Sequence, residues 1–132
     1  MSQWTHVNAN FRLNSLDRID DETIIKVFGK EVDYYDMMKI EYDDDWEVKD
    51  KEKYLPMGSE GTLKMSIWHN PNKSCVASTT VSVFGDLRDY GSFDEIEEWF
   101  NRCCDDIGNF GIRQAVCQVS VECLGTKIFQ RD

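Results

Sequence analysis

The stretch "WTHVNANFRL", Trp4 to Leu13, alternates more strictly than any other part of the chain. Val7, Ala9, Phe11 and Leu13 fall on one side of an extended backbone, and Trp4, His6, Asn8, Asn10 and Arg12 fall on the other. A period of two with one apolar and one polar side predicts a strand with one face covered and one face open. Antiparallel sheets carry such strands, whereas the doubly covered strands of parallel sheets are apolar throughout. An α+β protein with helices on one side of a sheet is therefore expected.

The rest of the chain supplies the partners. "DDETIIKVFGK" offers Asp20 or Asp21 as an N-cap, acids in the first turn, Ile24 and Phe28 one turn apart, and Gly29 near the stop, which predicts a short helix. "GTLKMSIWH" and "SCVASTTVSVF" flank the turn-forming "NPNK" and predict a hairpin. "SFDEIEEWFNRCCDDI" opens with Ser92 and Glu95 at capping-box spacing, and Ile96, Trp99, Phe100, Cys103 and Ile107 recur on one face of a second helix. "IRQAVCQVSVEC" predicts a last strand, with Ala115, Cys117, Val119, Val121 and Cys123 toward the core. "VFGDLRDYG", with glycines at 85 and 91, reads as the connection from the third strand into the second helix, where Arg88 can pair with Asp86 or Asp89. The order strand, helix, strand, strand, helix, strand predicts a ferredoxin-like split βαβ sandwich: a four-stranded antiparallel sheet with two helices on one face.

All 132 residues are assigned to one domain, with an acidic insertion over residues 31–60. The net charge of −10 is concentrated there: Glu31 to Glu52 holds ten acids against three lysines. Affinity for a phosphate backbone rests on basic charge, so direct nucleic-acid binding is not expected, and a basic partner is. The insertion also holds Tyr34, Tyr35, Met37, Met38, Ile40, Tyr42 and Trp46, which are expected to anchor it partly to the domain. Asp36, Glu41, Tyr42, Asp43, Asp44, Asp45, Trp46 and Glu47 are the candidate partner-binding residues. Arg88 joins them as an anion or partner contact.

Five cysteines without a C-x-x-C pair predict reduced packing thiols, not a disulfide frame or a zinc site. His6 and His69 have no Cys, His or carboxylate at metal-ligand spacing, and "GSEG" lacks the lysine of a phosphate cradle, so no metal or cofactor is expected. No enzyme is expected either; Asp86, Asp89 and His6 would be the candidates for one. The N-terminus has no basic region followed by an apolar stretch, and no run of 18 apolar residues occurs, so a cytoplasmic protein with no membrane contact is expected. The polar outer sheet face suits either solvent or a second copy, which makes a homodimer one expected state.

The strings "WTHVNANFRLNSL", "GSEGTLKMSIWHNPNKS", "VSVFGDLRDYG" and "IRQAVCQVSVE" resemble, in that order, a group of small, mostly uncharacterised acidic proteins encoded by tailed bacteriophages. The resemblance implies a context and no catalytic residues. Small acidic phage proteins often modulate host enzymes, including CRISPR nucleases and other defence systems, so the implied role is a non-enzymatic, anti-CRISPR-like inhibitor in the bacterial host cytoplasm. Its acidic surface would face the basic nucleic-acid-binding groove of a host protein. An alternative is an oligomeric small-ligand protein that sequesters a nucleotide signal, using Arg12, Arg88 and Arg113 with stacking aromatics.

Overall fold

The computed structural model describes residues 3–33, 38, 41–45, 53–58, 60–71, 77–88, 93–107 and 112–131. Among these residues the chain forms an α+β fold with a five-stranded antiparallel sheet and two helices. In chain order the elements are β1 (Trp4–Ser15), α1 (Asp21–Phe28), β2 (Leu63–His69), β3 (Ala77–Arg88), α2 (Asp94–Ile107), β4 (Ile112–Val121) and β5 (Gly125–Arg131). The strands lie in the order β2-β3-β1-β4-β5, with β1 at the centre.

Strand β1 obeys its alternation. Residues 5, 7, 9, 11 and 13 are buried and residues 6, 8, 10 and 12 are exposed. Its neighbours keep the same phase, because Phe11 pairs with Val81 on one side and Ala115 on the other. The buried sides of β1, β3 and β4 meet Ile24 and Phe28 of α1 and the apolar stripe of α2 in one core. Phe11 is the centre of that core: its ring lies 4.6 Å from Phe28, 5.9 Å from Trp99 and 5.4 Å from Phe100. Trp99 also links the helices, its indole Nε1 donating to the Phe28 carbonyl over 2.9 Å.

The ends of α1 follow local chemistry. Asp20 caps it, its carboxylate accepting from the Thr23 amide at 3.0 Å and from the Thr23 hydroxyl. Those bonds hold the Asp20 carboxyl below the usual aspartate range. Gly29 ends the helix at φ +115°, a conformation a side chain disfavours, and a Cβ there would meet the Tyr54 backbone carbonyl carbon at 2.5 Å. Ser92, the expected cap of α2, lies outside the described residues.

Three expectations are corrected. The sheet has five strands, not four, because the chain turns at Glu122–Leu124 and returns along β4 as β5. Cys123 sits in that turn at φ +70° and is exposed, so it does not face the core. Residues 85–88 are not part of a connection: β3 continues through them to Arg88, and Leu87 fills the core. Gly85 lies within the strand at a core-facing position, where a Cβ would meet the Thr62 carbonyl oxygen at 2.4 Å. The glycine admits the chain that leads into β2.

Candidate functional site

The acidic segment leaves the fold beside the edge strand β2, and its root is tied down by backbone bonds. The Lys30 amide donates to the Lys53 carbonyl at 2.8 Å, and the Leu55 amide donates to the Lys30 carbonyl at 3.0 Å. Val32 and Leu55 are buried at the same place. Glu31 turns back on the sheet: its carboxylate accepts from the Met65 amide at 2.6 Å, satisfying an edge-strand donor. Lys64 Nζ lies 3.9 Å from the other oxygen of the same group. A long excursion thus starts and ends at one fixed point on the sheet edge.

Within the excursion, Glu41, Tyr42, Asp43, Asp44 and Asp45 are all exposed. Asp43 Oδ1 accepts from the Asp45 amide at 2.9 Å, which folds the three aspartates into a tight turn. Four carboxylates therefore stand in five consecutive solvent-facing residues. Like charges at such spacing raise the local negative potential and attract a cationic surface. Met38 and Tyr42 are 71% and 53% exposed, so these two do not anchor the segment; among the described residues Val32, Leu55 and the backbone clamp do. Asp36, Trp46 and Glu47 lie outside the described residues, as do Tyr34, Tyr35, Met37 and Ile40 among the expected anchors.

Arg88 ends β3 and is held by Glu60. Its Nη1 lies 2.8 Å from Glu60 Oε1, and its amide donates to the Glu60 carbonyl at 2.9 Å. Asp86, one of its two expected partners, bonds instead to His6, with His6 Nδ1 2.5 Å from Asp86 Oδ1. Asp89 lies outside the described residues. Arg12 and Arg88 do not converge: Arg88 pairs with Trp4 across β1, eight residues from Arg12, or roughly 27 Å along the strand.

The second surface is the uncovered sheet face. The sequence phase placed His6, Asn8, Asn10 and Arg12 there, with Ser66, Trp68, Ser78, Thr80, Ser82, Phe84, Gln114, Gln118, Ser120 and Glu122; the registers bring together all but Glu122, which follows β4 in the turn, where its carboxylate accepts from the Trp4 amide at 2.9 Å. Sequence reasoning missed Val116 and the whole contribution of β5, namely Thr126, Ile128 and Gln130. It also missed both histidine–aspartate pairs. His69 Nε2 lies 2.6 Å from Asp21 Oδ1 and its Nδ1 lies 3.0 Å from Thr79 Oγ1, which ties α1 to the hairpin. Their sequence separations of 48 and 80 leave no local signal, although the β1–β3 register would have revealed the His6–Asp86 pair.

Cys103, Cys104 and Cys117 lie in the core, Cys123 is exposed, and Cys75 lies outside the described residues. Burial pushes Cys104 up to about 11 and Cys117 up to about 12, and raises Cys103 as well. Among the described residues no group of three or more His, Cys, Asp or Glu side chains is arranged to hold a metal ion, and no helix is long and apolar enough to cross a membrane. No protein-family model, curated protein or solved structure matches the chain.

Proposed function

We propose that this protein is a non-enzymatic binding protein that presents its acidic segment to the basic nucleic-acid-binding groove of a host defence nuclease, as an anti-CRISPR-like phage inhibitor acting in the bacterial cytoplasm. The observation that carries this reading is the turn at Glu41–Asp45, with four exposed carboxylates on an excursion rooted at the β2 edge. DNA presents one negative charge per ~1.7 Å of axis, so its binding grooves are lined with closely spaced cations. A dense carboxylate row meets the same cations without a nucleic acid. The fixed root lowers the entropy lost when the turn docks, and the net charge of −10 steers the encounter. The ferredoxin-like reading belongs here too: the order β2-β3-β1-β4 within the sheet supports a split βαβ arrangement to which β5 is an addition.

The test is DNA cleavage by a purified, guide-loaded Cas-type nuclease titrated with this protein at low and high salt. Inhibition is expected at low salt and should weaken as salt rises. Asp43→Lys, Asp44→Lys and Asp45→Lys together should raise the inhibitory concentration at least ~tenfold, a change of about 1.4 kcal/mol. Undiminished inhibition by the triple variant, or no inhibition by the parent protein, overturns the proposal.

A further inference from the structure

One row of side chains crosses the open face at the end of the sheet farther from His6. The registers set Trp68, Thr80, Arg12 and Gln114 side by side on β2, β3, β1 and β4. Arg12 is exposed and forms no ion pair among the described residues. Arg88 and Arg131, at the ends of β3 and β5, are each met by a carboxylate at 2.8 Å. On a chain of net charge −10, Arg12 thus offers the central strand a positive charge that no acid of the described residues takes up. Around it lies a depression of about 400 Å³ that Asn10, Thr80, Gln114, Val116 and Gln130 also line, with no acidic side chain taking part. Asn10 accepts from Ser82 at 2.6 Å through its oxygen and keeps its amide hydrogens to give. The glutamine amides and the Thr80 hydroxyl add further donors. A guanidinium among neutral donors, with no carboxylate beside it, suits an anion.

We propose that this row binds a nucleoside 5′-monophosphate, with the phosphate on Arg12 and the base stacked on Trp68. The spacing of the row selects that ligand. Trp68 is exposed and stands two strands from Arg12, ~10 Å across the sheet. A ring platform and a cation set that far apart are mismatched to a simple aromatic acid, whose carboxylate is attached close to its ring. They match a molecule with a spacer between ring and anion. Thr80 stands between them, where the sugar of a nucleotide falls, and its hydroxyl can give to or accept from a sugar hydroxyl. The guanidinium fork fits two phosphate oxygens at once, and an indole face stacks on any base. Charge limits the ligand to one phosphate group. A nucleic-acid strand brings many phosphates and needs many cations, whereas this row supplies one and the chain as a whole repels a polyanion. The acidic turn at Glu41–Asp45 takes no part, so this proposal and the inhibitor reading stand or fall separately.

The experiment is calorimetric titration of the full chain, at low salt, with adenosine 5′-monophosphate, adenosine and inorganic phosphate in turn. The monophosphate is expected to bind with a Kd below about 1 mM. Adenosine and phosphate, each making only one of the two contacts, should bind at least ~tenfold more weakly. Arg12→Gln should reduce the affinity for the monophosphate to that for adenosine. Trp68→Ala should weaken it at least ~tenfold, and Trp68→Tyr should keep it, because a second aromatic face still stacks. Both positions are exposed, so circular dichroism should be unchanged in every variant. Raising the salt should weaken the monophosphate and leave adenosine unmoved. No binding of the monophosphate by the parent protein overturns the proposal, as does equal affinity for adenosine and its monophosphate, or an affinity that neither variant lowers. Loss in Arg12→Gln alone overturns the placement of the base on Trp68. Oligoadenylate binding at least ~tenfold tighter than the monophosphate would give the row to a nucleic-acid strand and overturn it as well.

Discussion

The two faces of the sheet are made from alternate residues of the same strands, yet physics treats them differently. Asn10 and Phe11 are neighbours on β1; one is exposed and the other is wholly buried among three aromatic rings. The covered face is constrained by volume, because interiors are packed as densely as organic crystals. The open face is constrained by what it meets. It is free to hold amides, hydroxyls and a few apolar groups while the core beneath is unchanged. A sheet covered by helices on one side thus separates folding from recognition by a single residue step.

The largest expected effect tests that separation on adjacent positions. Phe11→Ala removes the central ring of the core and should cost about 3–5 kcal/mol in urea unfolding. Asn10→Ala, one residue away, should fall within about 0.5 kcal/mol of the parent. A difference under about 1 kcal/mol would mean that the two faces are not distinct in energy.

The sequence made the covered face legible and the acidic excursion partly so. Alternation located β1, the 3.6-residue stripe located α2, and the pair Asp20 and Asp21 announced the start of α1, of which Asp20 is the cap. Strand β5 was hidden because Ile128 and Phe129 are both apolar and adjacent: one stands on the open face and the other packs against the core, which erases the alternation. Residues 85–88 misled because glycine beside aspartate signals a turn, whereas here Gly85 makes room for Thr62 and the strand runs on. Charge density gave the exposure of residues 41–45. It could not give the clamp at Lys30, which is built from backbone groups that every residue carries.

A smaller effect contrasts two cysteines six residues apart. Cys117 is buried on the covered side of β4, and Cys123 is exposed in the turn that follows. In a Cys75→Ser background, a thiol reagent at neutral pH should modify Cys123 in the native protein and reach Cys103, Cys104 and Cys117 on unfolding, because the thiolate is the nucleophile. The same burial gives the alkaline limit its sign. Cys104 and Cys117 stay protonated to about 11 and about 12 when folded, against 9.0 ordinarily. The unfolded chain releases those protons first, so their contribution is complete below pH 9 and is lost as pH rises through the folded values. Flat stability from about pH 8 to about pH 11, or modification of Cys117 at the rate of Cys123, would contradict the assignment.

The smallest effect concerns a polar group on the wrong side. Thr5 lies on the covered face of β1, between Leu87 and Val121, and is fully buried. Its hydroxyl has no hydrogen-bond partner among the described residues. An unpaired buried hydroxyl loses its bonds to water and gains none, so replacing it with a methyl of the same shape removes the cost. Thr5→Val should therefore stabilise the protein by about 1 kcal/mol, read as a higher urea midpoint at unchanged slope. On the open face the same change of a hydroxyl to a methyl, Thr80→Val, should be near neutral, since water already satisfies that group. If Thr5→Val destabilises instead, the hydroxyl is bonded in solution and the covered face tolerates a polar side chain because it is paired.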